Sequence, residues 1–186
     1  MRLFALVFAL LCVPVFAAPA SGPVVGRKLP EFAGLDLNGH GKWRLANAYG
    51  RSAAIFFFCG CEPCHICARQ WQALRNRGVV DSIIRQGGGA ALPPLTVVVF
   101  AGDEAAARLF ARQTGLGGSG LVLIPDPLMA TTNRYNVAPC PRVFVAGRNG
   151  ILRYTNASAD DAPQGDDETL IVQRALESLR GDAAAR

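Results

Sequence analysis

Basic side chains other than arginine are scarce in this 186-residue chain. It has two lysines, Lys28 and Lys42, and two histidines, His40 and His65, against seventeen arginines. The arginines are scattered, so the net charge of +5 lacks the basic face or arm of a nucleic-acid binder. No nucleic-acid partner is expected. No internal repeat is visible, and no Lys-Ser/Thr follows Gly117-Gly118-Ser119-Gly120, so that loop is not a phosphate cradle. The acids at 160–161 and 166–168 lack EF-hand spacing. Long apolar runs are missing too. Leu3 to Val13 falls short of the ~20 residues of a bilayer span and is followed by Pro14. With 51% apolar residues the chain is nevertheless not disordered, and its length suits one domain with a proper core.

The N-terminus carries the first positive signal. Met1-Arg2, the apolar Leu3–Val13 and the exit Val15-Phe16-Ala17 read as an export leader cleaved after Ala17. An uncleaved membrane tether over residues 3–20 is the alternative. No twin-arginine pair precedes the apolar core, so export is expected in the unfolded state, and Leu11 before Cys12 argues against a lipoprotein. The expected division is a leader at 1–17, a linker at 18–23, one domain at 24–180 and a frayed tail at 181–186. A periplasmic or other extracytoplasmic location favours disulfides. Loss of Cys12 with the leader leaves five cysteines, an odd number, so at least one thiol is free, metal-bound or paired with another chain.

Four of those five sit in Cys59-Gly-Cys61-Glu-Pro-Cys64-His-Ile-Cys67. Ala53–Phe58 before them is a wholly apolar run, the pattern of a buried strand. Pro63 after them suits the first turn of a helix, where its missing N–H would have had no partner. Cys61 and Cys64 therefore lie where a strand gives way to a helix N-terminus, and unpaired N–H groups there favour a thiolate. Cys61 is the expected nucleophile and Cys64 the resolving thiol.

The rest of the chain alternates strands and helices. A strand over 32–37, the Asn38-Gly39 turn and a return strand at 43–45 form a hairpin. The cysteine helix should end near Gly78. Strands follow at 95–100 and 121–124, with a helix over 104–114 capped from Asp103. A helix over 127–136 leads into Pro139-Cys140-Pro141, then a hairpin of 142–146 and 151–155 around Asn149-Gly150. An amphipathic helix over 166–180 closes the chain. This order predicts an α/β fold, a mixed central sheet with helices on both faces and an N-terminal β-hairpin extension.

Gly26-x-x-Leu-Pro-x-Phe32, the Asn38-Gly39 hairpin, the aromatic strand entering Cys-Glu-Pro-Cys, and Val137-x-x-x-Pro141-Arg-Val-Phe-Val-x-x-x-Asn-Gly150 occur in that order. Over residues 24–180 this resembles the TlpA/ResA/DsbE-like thiol–disulfide oxidoreductases of the thioredoxin-like superfamily, in its AhpC/TSA–redoxin branch. The resemblance implies a thioredoxin-like fold and disulfide exchange with protein thiols or disulfides. It also implies a membrane or periplasmic redox partner, no organic cofactor, and a place in extracytoplasmic redox homeostasis or cytochrome c maturation. It makes Pro141 a cis proline shaping the groove where a partner backbone docks, with Cys140 facing the active pair. The sequence departs from the family at Gly60, where a Trp is common, at Ile55, where thioredoxins carry a buried acid, and at Cys67 and Arg69, where Glu and Pro are frequent.

Rival readings attach to the same residues. Cys59 and Cys67 are either core fillers or auxiliary thiols, and Cys140 is filler, a third redox thiol or a metal ligand. The spacing Cys61-x2-Cys64-x2-Cys67 with a distant Cys140-Pro141 echoes iron–sulfur and zinc ligation. A metal-binding or structural domain is thus the alternative function, although no metal is expected. Cys61-Glu-Pro-Cys64-His65 matches a haem c attachment motif, but a strand–helix junction lacks room for haem. A thioredoxin-like copper chaperone would want a late histidine, and none follows His65. A thiol peroxidase of the peroxiredoxin type would want Thr or Ser three residues before the reactive Cys. Phe58 and Cys61 stand there instead.

Overall fold

The computed structural model describes residues 22–39, 41–83, 92–156 and 168–184. The leader, the linker up to residue 21 and the glycine connection at 87–89 lie outside them. Strands β1 (Ala33–Asp36) and β2 (Gly41–Arg44) form the N-terminal hairpin. The central sheet contains β3 (Ala53–Phe58), β4 (Leu95–Phe100), β5 (Leu121–Pro125), β6 (Arg142–Ala146) and β7 (Leu152–Thr155), in the order β5-β4-β3-β6-β7. The pairs β3/β4 and β4/β5 are parallel, while β3/β6 and β6/β7 are antiparallel. The sheet is therefore mixed, as the order of elements predicts.

The helices are α1 (Glu62–Asn76), α2 (Val79–Ser82), α3 (Glu104–Thr114), α4 (Ala130–Arg134) and α5 (Glu168–Ala184). Right-handed crossovers from β3 through α1 to β4, and from β4 through α3 to β5, step the chain in one direction across the sheet. Both helices therefore land on the same face, and α5 joins them there. That face buries Phe56, Phe58, Val98, Trp71, Phe110, Ala175 and Leu179 together. The opposite face carries Ile55, Phe57, Val97 and Phe144 and is closed by Phe32, Trp43, Leu45 and Tyr135. These come from the residue before β1, from β2, from a 3-10 turn at Leu45–Ala48 and from the residue after α4. Because both faces are covered, every residue of β3 is buried, which explains its unbroken apolar run. Each large side chain so buried contributes ~1.5–3 kcal/mol.

The hairpin is fastened to β5. Asp36 Oδ1 accepts the N–H groups of Asn38 and Leu123, each at 3.0 Å, and Asn38 Nδ2 donates to the Leu121 carbonyl at 2.9 Å. Gly34 permits the approach, since a Cβ there would lie 2.2 Å from Ile124 Cγ2.

Two helices depart from the sequence reading by several residues, beyond small shifts at other ends. Only Ala130–Arg134 of the expected 127–136 helix forms α4. Buried Asp126 accepts the N–H of Thr132 at 2.8 Å and of Thr131 at 3.3 Å and the Thr132 hydroxyl at 2.8 Å, which starts the helix late. At the other end α5 runs on to Ala184, beyond Arg180.

Candidate active site

The site forms where β3 ends. In a sheet with parallel strands this is the usual place for a site, since the chain leaves the strand there and the next helix begins. Gly60 makes the turn at φ +85°, a left-handed conformation, with a would-be Cβ only 3.4 Å from the Phe100 ring. A tryptophan at that position would have to adopt the same left-handed backbone, which accounts for glycine here. Cys61 is the N-cap of α1, in extended conformation and without a side-chain capping bond, and Pro63 lies in the first turn.

Cys61 is partly exposed and Cys64, in the first turn of α1, is buried. The Cys61 thiol donates to Cys64 Sγ at 3.3 Å, and the Cys59 N–H points to the same sulfur at 3.5 Å. Burial pushes the Cys64 thiol up to about 12, partly offset by the Cys59 N–H and reinforced by neighbouring Cys61. Cys67 is one turn further along the buried side of α1. Burial raises its pKa as well, helped by Cys64 and Glu168. It is a core thiol and lies outside the group of four sulfurs.

Cys59 and Cys140 are joined in a disulfide, with Cα atoms 6.7 Å apart and 81 residues between them in sequence. Strand register explains the pairing. Antiparallel β3 and β6 set Phe57 opposite Arg142, and carrying that register two residues on sets Cys59 opposite Cys140. Cys59 is therefore neither core filler nor a free thiol, and Cys140 is its disulfide partner. The disulfide lies against the other pair: Cys61 Sγ is 3.9 Å from Cys140 Sγ, and Cys64 Sγ is 3.9 Å from Cys59 Sγ. All four sulfurs lie within 4.8 Å of one another. They are the described residues that group as potential soft-metal ligands, and Cys59 stands in the place that the spacing assigned to Cys67.

The loop over this cluster contains cis peptide bonds at Ala138–Pro139 and Cys140–Pro141. The Cys61 thiol faces its Cys140 carbonyl at 3.9 Å. Two residues that the sequence reading did not assign to the site hold the loop. Arg142, buried and with its pKa lowered by desolvation, donates to the Ala138 carbonyl at 2.7 Å. Asn156 on the strand hairpin donates to the Pro141 carbonyl at 3.0 Å and accepts the Val143 N–H at 2.8 Å. Nothing local in the sequence marks Asn156 for the site, because nothing there says that β7 ends beside Pro141. His65 packs edge-on against Phe110 with ring centroids 4.8 Å apart.

No family model matches the sequence, and no curated protein matches it. Solved structures do match. One is a Chlorobium tepidum protein assigned as the thiol:disulfide interchange protein DsbE, with 21% identity and TM-score 0.61, covering 85% of this chain and 99% of that one. A second is a secreted Mycobacterium tuberculosis disulfide oxidoreductase homologous to E. coli DsbE, with 17% identity and TM-score 0.54, over 83% and 96% of the two chains. A third is the peroxidoxin BcpB of Mycobacterium tuberculosis, with 14% identity and TM-score 0.65, over 86% and 97%. At these identities the likeness is one of architecture, and on it the chain has the thioredoxin-like fold.

Proposed function

We propose that this protein is an exported thiol–disulfide oxidoreductase that exchanges disulfides with partner proteins through Cys61 and Cys64. The observation that carries the reading is the sulfur pair itself. Two thiols lie 3.3 Å apart at a helix N-terminus, one partly exposed and one buried. Cys64 keeps its proton near neutrality because burial pushes its thiol to about 12, so attack on a partner falls to Cys61. The Cys61 thiolate displaces one sulfur of the partner disulfide, leaving a mixed disulfide. Cys64 then gives up its proton, attacks Cys61 and releases the second partner thiol. Two electrons pass to the partner, and the reverse sequence oxidises a partner dithiol. The direction is set by the potentials of the two couples. Pro141 and its loop form the wall against which the partner backbone docks. The thioredoxin-like architecture and the DsbE-type neighbours support protein substrates, a periplasmic or membrane redox partner, and work in redox homeostasis or cytochrome c maturation.

Cys61→Ser and Cys64→Ser separate the roles. The first should abolish exchange, and the second should accumulate mixed disulfides on non-reducing gels. Turnover retained in Cys61→Ser would overturn the assignment. A second reading has its own observation, the four sulfurs within 4.8 Å of one another. Once the Cys59–Cys140 bond is reduced, they make a tetrathiolate set suited to zinc. Metal analysis of protein purified under reducing conditions tests it, and zinc held at one per chain would favour that reading.

A further inference from the structure

We propose that the Cys59–Cys140 disulfide is a second redox couple that exchanges electrons with Cys61 and Cys64 inside the same molecule. The inference rests on the reading of Cys61 and Cys64 as an exchange pair. Its own basis is that the thiol pair lies against the disulfide at both ends, Cys61 beside Cys140 and Cys64 beside Cys59, each 3.9 Å sulfur to sulfur. That is a few tenths of an ångström beyond the ~3–3.5 Å of a near-attack arrangement. Closing the gap and aligning the attack takes a rotation of the Cys61 side chain, which makes no capping bond. A structural disulfide would more usually be kept away from a reactive thiol. This one lies where the nucleophile operates.

The steps balance without any outside oxidant. The Cys61 thiolate attacks Cys140 Sγ, forming a Cys61–Cys140 bond and breaking Cys59–Cys140, and Cys59 leaves as a thiolate. The Cys59 thiolate takes the proton of Cys64, its neighbour at 3.9 Å. Cys64, now a thiolate and 3.3 Å from Cys61 Sγ, attacks it and releases Cys140 as a thiolate. At the end Cys61–Cys64 is the disulfide, Cys59 carries the proton and Cys140 the charge. Two electrons have moved from the helix pair to the register pair. The cluster can thus hold up to two disulfides and isomerise when it holds one. A partner met by Cys61 then draws on two couples rather than one, and Cys140 faces the groove both as a wall and as a sulfur in exchange. Cys67, buried outside the cluster, takes no part.

Peptide mapping reads the isomers directly. Trypsin releases residues 52–69, with Cys59, Cys61, Cys64 and Cys67, and residues 135–142, with Cys140. A Cys59–Cys140 bond links the two peptides, whereas a Cys61–Cys64 bond leaves 52–69 internally bridged and 135–142 free. Fully reduced protein receives one equivalent of diamide, and fully oxidised protein receives one equivalent of a phosphine reductant. Samples are quenched in acid, alkylated with N-ethylmaleimide, digested and weighed. Both preparations should converge on the same mixture of linked and bridged forms, to within about twofold, at a rate unchanged by ~tenfold dilution. In Cys64→Ser the second step is blocked, so fragment ions should show Cys61 as well as Cys59 joined to Cys140.

Failure has separable forms. If Cys61 and Cys64 exchange with glutathione while the linked and bridged forms never interconvert, the relay is wrong and the exchange reading stands. If neither pair takes glutathione, both fall. If reduced protein holds zinc that shields four of its cysteines from alkylation, the cluster is a metal site and the relay is wrong.

Discussion

Asn156→Ala tests whether the site loop is held from outside the cysteine motif. The amide bridges the Pro141 carbonyl at 3.0 Å and the Val143 N–H at 2.8 Å, and Val143 is wholly buried at the start of β6. Truncation removes two hydrogen bonds, each worth ~0.5–1.5 kcal/mol net, and leaves the Val143 N–H without its partner at a further ~1–3 kcal/mol. Since these terms overlap, the expected loss is about 2–4 kcal/mol. In a domain of this size each kcal/mol lowers Tm by ~2–4 °C, so the drop should be about 5–15 °C. Urea unfolding of the oxidised protein measures the free energy, and an unchanged m value would show that only stability moved. The functional readout is exchange with a protein disulfide compared with a small aromatic disulfide. A loosened Pro141 loop should slow the protein substrate and leave the small reagent nearly unchanged. Asn156→Asp keeps the acceptor for Val143 but loses the donor to Pro141, and should not restore docking. A loss below ~0.5 kcal/mol with equal rates on both substrates would refute the reasoning.

The remaining predictions use the same kind of measurement. Cys64 and Cys67 are raised in the fold by burial, so their contribution is complete below the ordinary thiol range of ~8.5 and is lost as pH rises towards the folded value, about 12 for Cys64. With the Cys59–Cys140 disulfide intact and the other cysteines as thiols, the protein should therefore lose stability above pH ~8.5, by up to ~1.4 kcal/mol per pH unit per thiol, and urea midpoints equal at pH 7 and 10 would contradict this. Gly60→Ala forces a side chain into the left-handed region against the Phe100 ring and should cost ~1–3 kcal/mol, while a thermal shift within error of wild type would remove the constraint argued for that turn. Asp126→Ala strips the cap of α4, leaving the buried N–H of Thr132 and the half-buried N–H of Thr131 without their acceptor, for an expected ~1–3 kcal/mol, and fast hydrogen exchange confined to 130–134 should accompany it.

Much of this fold is local in origin and legible in the chain. The apolar run 53–58 announces a strand covered on both faces, Pro63 marks the first turn of α1, and Asp103 and Gly115 bracket α3. The adjacency of Cys61 and Cys64 follows from helix geometry alone, because residues three apart share a face. Tertiary structure decided what lies against them. Cys59 and Cys140 meet through the antiparallel register of β3 and β6, a pairing that no local pattern encodes. Spacing placed Cys67 with the cluster, yet in the fold it sits a turn deeper, buried in the core with residues of α5. Asn156 entered the site because β7 ends beside Pro141, and α4 shortened because buried Asp126 captured its first N–H groups. Periodicity and capping are properties of neighbouring residues and can be read in a line. Register, depth and the reach of a side chain across a sheet exist only once the strands have packed.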